Sequence, residues 1–203
     1  MTVQSVTISS APVVNFTVTD AAGNPIVGLG NTSQSATATL PGYPNLAFSV
    51  AKLVPFASGA PSRWVSYIVT TVPSTTAAAA PSRPSTDNTG TLVDHGDGTY
   101  TYTFYRDVTQ IKAQVDGMTV TGTNDKADLG DLTYEPTLVH RLTIQLAGNA
   151  PGTGSNTPNA VTNVPGVPLQ HPVDSIYDFT PNNGQAVTAS GRDMVTTTNC
   201  NTC

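Results

Sequence analysis

The stretch LVHRLTIQL, residues 138–146, decides the fold class of this chain. One set of its side chains is apolar apart from a histidine, and the other set is mostly polar. The first set is Leu138, His140, Leu142, Ile144 and Leu146, and the second is Val139, Arg141, Thr143 and Gln145. Successive side chains of a β-strand point to opposite faces, so this period of two predicts a strand with one buried face.

Shorter segments with the same period recur along the chain between turn signals. The alternation at Val14, Phe16 and Val18 precedes a predicted turn in DAAGNPIVGL, residues 20–29. The segment RWVSYIVTTV, residues 63–72, is apolar on both faces, which predicts a central strand. Further strands are predicted at Ala36, Ala38 and Leu40, at Leu46, Phe48 and Val50, at Ile111, Ala113 and Val115, and at Met118 and Val120.

A hairpin is predicted in LVDHGDGTYTYTF, residues 92–104. Its pair Asp97-Gly98 suits a type I′ turn, which needs positive φ angles. Tyr100, Tyr102 and Phe104 then line one face of the second strand.

These patterns predict an all-β fold: an antiparallel Ig-like sandwich or a split Greek-key barrel with an extended C-terminal tail. Residues 1–146 are expected to form the β domain and to fold alone. Residues 147–203 are expected to form a loosely held extended linker. Alternation stops after about residue 147, where Gly, Pro and Asn dominate, and the apolar segment SIYDFTP, residues 175–181, is expected to pack on a neighbouring surface.

Composition excludes several classes of function. Only 10% of the residues are charged and the net charge is −5, with eight Lys and Arg in all. No basic stripe is present to neutralise phosphates, so we expect no nucleic-acid partner. No apolar run reaches the roughly 18 residues that span a bilayer. Abundant Thr, Gly, Pro and Asn favour an exported β protein, although residues 1–20 show no export signal.

The only cysteines, Cys200 and Cys203, form a C-x-x-C pair. Four interpretations stay open from spacing alone: a redox dithiol, half of a zinc site, a small-loop disulfide, and covalent c-type haem attachment. The first lacks a βαβ context, and the second lacks further cysteines or nearby histidines. The fourth requires C-x-x-C-H, whose histidine would be residue 204.

Several segments in succession resemble one protein family. They are VVNFTVTDAAGNPIVGL, RWVSYI, GDGTYTYTF, YEPTLVHRLTIQL, and YDFTP followed by RDMVTTTNCNTC. In this order they resemble the N-terminal β domain of the bacterial outer-membrane decahaem c-type cytochromes of the OmcA/MtrC type. The resemblance implies a piece of a longer cytochrome that reaches the first haem motif.

The resemblance implies a structural and interaction domain of an extracellular multihaem cytochrome, which takes part in electron transfer to extracellular acceptors. Cys200 and Cys203 would be the thioether anchors of haem c in the parent protein. His140 is a candidate distal haem ligand, because neutral imidazole is a usual axial ligand of such haems. The partners implied are the adjoining haem domain and outer-membrane porin-cytochrome proteins, and the location is the extracellular face of the outer membrane.

A second hypothesis comes from a different class: an Ig-like adhesin or carbohydrate-binding domain of a bacterial surface protein. No nucleophile, base and orienting acid can be assembled from the sequence, so we do not expect an enzyme. A core role competes with haem ligation at His140, and Trp64 is expected to be a core anchor. The remaining candidates are expected to be loop or turn residues, namely His171, His95, and the acidic residues Asp94, Asp97, Asp125, Asp128 and Asp131, which lack the EF-hand spacing.

Overall fold

A computed structural model of the chain describes residues 1–55, 62–70, 82–118, 127–157 and 164–187. Over these ranges the chain forms two antiparallel sheets packed face to face, which confirms the predicted sandwich. The strands of the first sheet are β1 (Thr2–Thr7), β2 (Val13–Thr17), β5 (Thr91–Asp94) and β6 (Thr99–Thr103). The strands of the second sheet are β3 (Leu46–Val54), β4 (Arg63–Ser66), β7 (His140–Leu146), β8 (Val173–Thr180) and β9 (Gln185–Ala186). The strand order is β1-β2-β6-β5 in the first sheet and β4-β3-β7-β8-β9 in the second.

The core lies between the inward faces of the two sheets and is rich in aromatic rings. Tyr102 of β6 stacks on Phe48 of β3 with ring centroids 3.8 Å apart. Phe16 of β2 stacks on Tyr100 at 5.3 Å. The predicted alternation in β2, in the hairpin and in β7 is therefore confirmed, because the apolar members of each set are buried.

Asp87 connects the two sheets, because its backbone bonds to one sheet and its side chain to the other. Its backbone exchanges hydrogen bonds of 2.7 and 2.9 Å with Phe48 of β3. Its carboxylate accepts hydrogen bonds from Tyr102 Oη and, at 2.9 Å, from Arg106 Nη1. All three side chains are buried, so one acidic residue joins β3 to β6.

Two predicted strands differ in the structure, and a third falls largely on residues that the structure does not describe. Residues 111–115 lie in the helix α1 (Ile111–Asp116), because Ile111 and Val115 are buried one turn apart and Lys112 pairs with Asp116 at 2.6 Å. Residues 36–40 form turns, with Ala38 N donating to Ser35 O. The strand predicted at 118–120 lies outside the described residues beyond Met118.

The segment predicted as a central strand, residues 63–72, is an edge strand that ends at Ser66. Its apolar residues Tyr67, Ile68 and Val69 are buried because a neighbouring segment covers them: Ser85 N donates to Ile68 O at 2.9 Å, and Val69 pairs with Pro84. Residues 71–72 lie outside the described part.

The hairpin connection contains four residues rather than the predicted two. β5 ends at Asp94 and β6 begins at Thr99. Gly96 and Gly98 have φ angles of +78° and +85°, which side chains with a Cβ rarely adopt. The Asp97 carboxylate accepts the Thr99 amide at 2.9 Å and so fixes the last part of the turn.

The second sheet continues past the predicted boundary at residue 146. β8 pairs with β7 through seven register pairs, from His140↔Phe179 to Leu146↔Val173. The sequence pattern of β8 is weak because Asp174, Ser175 and Asp178 interrupt its apolar residues. Residues 175–181 are packed, as the sequence predicts, and they supply an integral strand of the sandwich.

Helix is scarce in the described ranges, which hold α1 and a 3-10 turn at Gly154–Asn156. Neither is long and apolar enough to cross a lipid bilayer.

Candidate functional site

His140 lies at the first position of β7, on the inward face of the second sheet. It stands between Lys52 of β3 and Phe179 of β8 in the strand register. Its ring centroid lies 5.6 Å from that of Tyr67 and 5.8 Å from those of Tyr134 and Phe179. The residue is 0% exposed, so the imidazole is enclosed in an aromatic box.

One hydrogen bond sets the tautomer of this imidazole. His140 Nδ1 lies 2.8 Å from the carbonyl oxygen of Leu138, which only accepts hydrogen bonds. Nδ1 therefore carries the proton, and Nε2 keeps its lone pair. That Nε2 is buried and has no hydrogen-bond partner among the described residues. A protonated Nδ1 with a free Nε2 lone pair is the form that binds metals.

The surroundings of His140 favour its neutral form. The pKa of His140 is lowered to about 4, chiefly by burial and also by the positive charge of Lys52, while the Leu138 carbonyl and Glu135 oppose the shift. The Lys52 side chain is itself 0% exposed and donates to Thr133 O at 2.6 Å and to Glu135 Oε2 at 2.5 Å. A buried lysine is tolerated here because both contacts satisfy its ammonium group.

Chemically, the aromatic box supplies one neutral ligand atom and no open side. An axial haem ligand needs its ligating nitrogen to point at the iron with the porphyrin next to it. Here Tyr67, Tyr134 and Phe179 surround the imidazole instead. The described residues contain no group of three or more His, Cys, Asp or Glu side chains placed to hold a metal ion. The tautomer of His140 suits axial ligation, but its enclosure leaves no space for a haem while the box stays closed.

We predict that His140 makes the fold acid-sensitive. Below its ordinary pKa of 6.5 the unfolded chain binds a proton that the folded chain does not bind until about pH 4. The contribution of neutral His140 to the free energy of unfolding is therefore complete above pH 6.5 and is lost as the pH falls from 6.5 to 4, by at most about 3 kcal/mol. Urea unfolding at several pH values measures this slope.

The matched variants are His140→Phe, which keeps a ring in the box, and His95→Phe, which removes an exposed imidazole. His140→Phe is expected to flatten the acid slope, and His95→Phe to keep the slope of the unmodified chain. An unchanged slope in His140→Phe would show that other groups cause the acid sensitivity.

On the opposite face of the same strands, Arg141 pairs with Asp178. The guanidinium donates to both carboxylate oxygens, at 2.7 and 2.8 Å, and both residues are buried. The Trp64 ring lies 4.4 Å from Arg141 Cζ, across the small residue Ala51 of β3. Trp64 therefore packs on the outer face of the sheet, not between the sheets as a core anchor.

The other candidate residues lie apart from His140. His171 is exposed at the rim of an apolar cleft of about 500 Å³ at one end of the sandwich. His95 is exposed, with Nε2 3.0 Å from Thr101 Oγ1. Cys200, Cys203 and Asp125 lie outside the described residues.

The acidic candidate residues that the structure describes stabilise turns of the backbone. Asp94, Asp97, Asp128 and Asp131 each accept a backbone amide two residues ahead, and Asp94 also accepts Gly28 N at 2.6 Å. The backbone contact to Thr133 is the largest cause of the lowered pKa of Asp131, and the Thr99 side chain is that for Asp97.

Sequence analysis did not single out Lys52, Asp87 or Asp178. In the sequence, each of them is a single charged residue, and no neighbouring residue indicates that its side chain is buried in an ion pair. Their partners Glu135, Arg106 and Arg141 are 83, 19 and 37 residues away.

Comparison with known proteins confirms the predicted resemblance. No protein-family model and no curated protein matches the sequence. Among solved structures, MtrC from Shewanella baltica OS185 is similar over 100% of this chain, with 28% identity and a TM-score of 0.56. The outer membrane decahaem cytochrome OmcA is similar over 99% of it, with 22% identity and a TM-score of 0.55. The chain spans 25% of the length of each of these two proteins.

Proposed function

We propose that this chain is the N-terminal β domain of an extracellular multihaem c-type cytochrome, and that it serves electron transfer to extracellular acceptors as a structural and interaction domain. The observation that carries the proposal is the similarity to MtrC over the whole chain at 28% identity. The succession of motifs from β2 to the C-x-x-C pair also supports it. Electron transfer itself would belong to haems in the rest of the parent protein.

Haem c is the cofactor that the proposal implies for the parent. Cys200 and Cys203 would bond covalently to its two vinyl groups, and a histidine after Cys203 would be the proximal ligand. The haem iron supplies the electron-carrying couple when it is bound. The residues of the sandwich hold the polypeptide in position ahead of this attachment point.

The role of this domain would be to position the haem-bearing segment. Asp87 joins the two sheets, and the buried Arg141–Asp178 pair joins β7 to β8 within the second sheet. These buried contacts would make the sandwich a rigid body. β8 and β9 are the last described elements before the C-x-x-C pair. A rigid body at this place would fix the orientation of the first haem-bearing segment relative to the rest of the surface.

His140 as a distal haem ligand is a separate and weaker part of the proposal. The Nε2 lone pair supports it, whereas the closed aromatic box opposes it. Ligation would require Tyr134, the partly exposed side of the box, to move away from the ring. The box as it stands suits a core histidine.

The proposed location is the extracellular face of the bacterial outer membrane. The low charge and turn-rich composition support export, and one similar protein is an outer membrane cytochrome. The adjoining haem domain of the parent chain is the proposed partner, and a porin-cytochrome assembly in the outer membrane is a further one.

We predict that Cys200 and Cys203 each form a thioether bond in the parent protein. With both replaced by serine, the matured parent is expected to carry exactly one haem fewer, because no other bond attaches that haem covalently. Intact mass spectrometry of the parent and of the Cys200→Ser/Cys203→Ser variant measures the difference. The matched control is Ser155→Ala on the sandwich surface, which should keep the full haem number.

Equal haem numbers in the serine variant and the parent would reject the assignment of these two cysteines. A parent without any haem would reject the cytochrome proposal and favour the adhesin or carbohydrate-binding hypothesis.

A further inference from the structure

The cleft of about 500 Å³ at one end of the sandwich gives solvent access to the apolar core. It lies between the turn that follows β2 and the segment that leads into β8. Some of its lining residues are buried members of the core, and others are partly exposed at its mouth. The aliphatic side chains that line it are those of Val18, Ile26, Leu29, Leu146, Leu169 and Val173.

Backbone hydrogen bonds hold both sides of this cleft in place. On one side, Ile26 N donates to the carbonyl oxygen of Val18 at 3.0 Å and closes the turn between them. On the other side, Leu169 N donates to the carbonyl oxygen of Gly148 at 2.8 Å. A ligand that enters a cleft with fixed walls does not have to order them, so little conformational entropy is lost on binding.

The charge at the cleft restricts the kind of ligand. Asp20 is the one acidic side chain among the described lining residues, which include no Lys or Arg. Its carboxylate accepts hydrogen bonds from Asn24 Nδ2 at 2.9 Å and from the backbone amides of Ala22 and Asn24 at 2.8 Å. These contacts, led by the Asn24 side chain, hold the pKa of Asp20 below its usual range. A negative charge at the rim without a Lys or Arg beside it disfavours an anionic ligand.

The size of the cleft suits a small molecule. Small-molecule sites in proteins are concave, have volumes of about 300–1,000 Å³, and combine mostly apolar walls with a few polar groups. A stable protein partner instead covers about 800 Å² of surface on each side. Here the apolar side chains surround one concave space, and the polar side chains Gln170 and His171 stand at its rim.

We propose that this cleft binds a small, uncharged, apolar molecule. The inference goes beyond the proposed function, because neither haem nor electron transfer takes part in it. Removal of the aliphatic side chains and of the ligand from water drives the binding. Gln170 and His171 offer hydrogen bonds to one polar group of the ligand at the rim.

A fluorescence titration of the 203-residue chain with the neutral probe N-phenylnaphthylamine tests the site. The emission of this probe increases in apolar surroundings. We expect one bound probe per chain with a Kd of about 10–100 µM, the range for an efficient ligand of this size. The anionic analogue anilinonaphthalenesulfonate has similar rings and is expected to bind at least about tenfold more weakly, because its sulfonate meets the charge of Asp20.

Two exposed valines give matched variants that locate the bound probe. Val173 lines the cleft and is 37% exposed, and Val93 is 46% exposed on the outer face of the first sheet. Val173→Glu is expected to weaken binding of the neutral probe at least about tenfold, because the probe would bury the new carboxylate. Val93→Glu is expected to leave the Kd unchanged. Circular dichroism checks that both variants fold.

Proton NMR of the unmodified chain gives a second readout that does not depend on a variant. The ring resonances of His171, at the rim of the cleft, are expected to shift as the neutral probe is added. Those of His95, which is exposed in the hairpin turn, are expected to stay in place.

Each contrary result would overturn this proposal. These results are no binding of the neutral probe, equal binding of the neutral and anionic probes, and equal binding by the two valine variants. Binding by the 203-residue chain but not by the full-length parent would show that another part of the parent fills the cleft, which would also overturn it. The haem content of the parent is measured separately, so the proposed function can stand or fail independently of this site.

Discussion

A chain that ends at residue 146 is expected to show no cooperative unfolding transition, whereas a chain that ends at residue 187 is expected to unfold in a single transition. The shorter chain lacks β8, which forms seven register pairs with β7. Removing this strand converts β7 from an interior strand into an exposed edge. The long, apolar edge strand that results is also an aggregation site.

Two losses account for the size of this effect. Phe179 is 0% exposed and covers one side of His140, and its burial contributes about 1.5–3 kcal/mol. Without β8, Arg141 also loses the Asp178 carboxylate that binds it at 2.7 and 2.8 Å. Together with the loss of all seven register pairs, this is large against the whole stability of a typical domain, about 5–15 kcal/mol.

Urea unfolding followed by tryptophan fluorescence measures both chains, because Trp64 lies on Arg141 in the affected sheet. A cooperative transition in the chain that ends at residue 146 would show that residues 1–146 fold alone, as the sequence pattern predicts.

Asp87→Ala is expected to destabilise the protein by about 3–5 kcal/mol, the range for removing one partner of a buried ion pair. The variant takes the carboxylate from Arg106 Nη1, with which it forms a 2.9 Å contact in the core. It also leaves the buried Tyr102 hydroxyl without its acceptor. Chemical denaturation of the 203-residue chain measures the change in the free energy of unfolding.

The matched control for Asp87→Ala is Asp97→Ala. Asp97 is also an aspartate that accepts backbone and hydroxyl hydrogen bonds, but it lies in the exposed hairpin turn. Water replaces those contacts, so a much smaller loss is expected. Equal losses in the two variants would contradict the role of Asp87 as the connection between the sheets.

The sequence was sufficient for the strands whose alternation is regular. β2, β6 and β7 are recognisable because three apolar or aromatic residues stand at every second position in or directly after each strand: Val14, Phe16 and Val18; Tyr100, Tyr102 and Phe104; and Leu142, Ile144 and Leu146. The same rule failed at Ile111, Ala113 and Val115. Three residues at positions i, i+2 and i+4 also contain the i, i+4 pair of a helix, and here the Lys112–Asp116 contact and burial of Ile111 and Val115 favour the helix.

Tertiary contacts decided the elements that the sequence left ambiguous. Tyr67, Ile68 and Val69 are buried by the segment around Pro84 and Ser85, so their apolar character does not indicate a central strand. β8 has a weak pattern because Asp178 is buried with Arg141, a pairing that depends on how two distant strands align.

The candidate site shows the same limit. The position of His140 on the apolar face of β7 follows from the alternation, and the structure places it there. The box around it is assembled from Tyr67, Tyr134 and Phe179, which come from three separate segments of the chain. These contacts between distant segments enclose the ring of His140 and bury it. The residues next to His140 in the sequence do not indicate them.

The central claim, that this domain belongs to a multihaem c-type cytochrome, is tested most directly by the visible spectrum of the full-length parent protein. The parent is purified from cells that mature c-type cytochromes, and its reduced-minus-oxidised difference spectrum is recorded. The account predicts the sharp α and Soret bands of c-type haem, at an intensity that corresponds to several haems per chain. A colourless parent protein would contradict it.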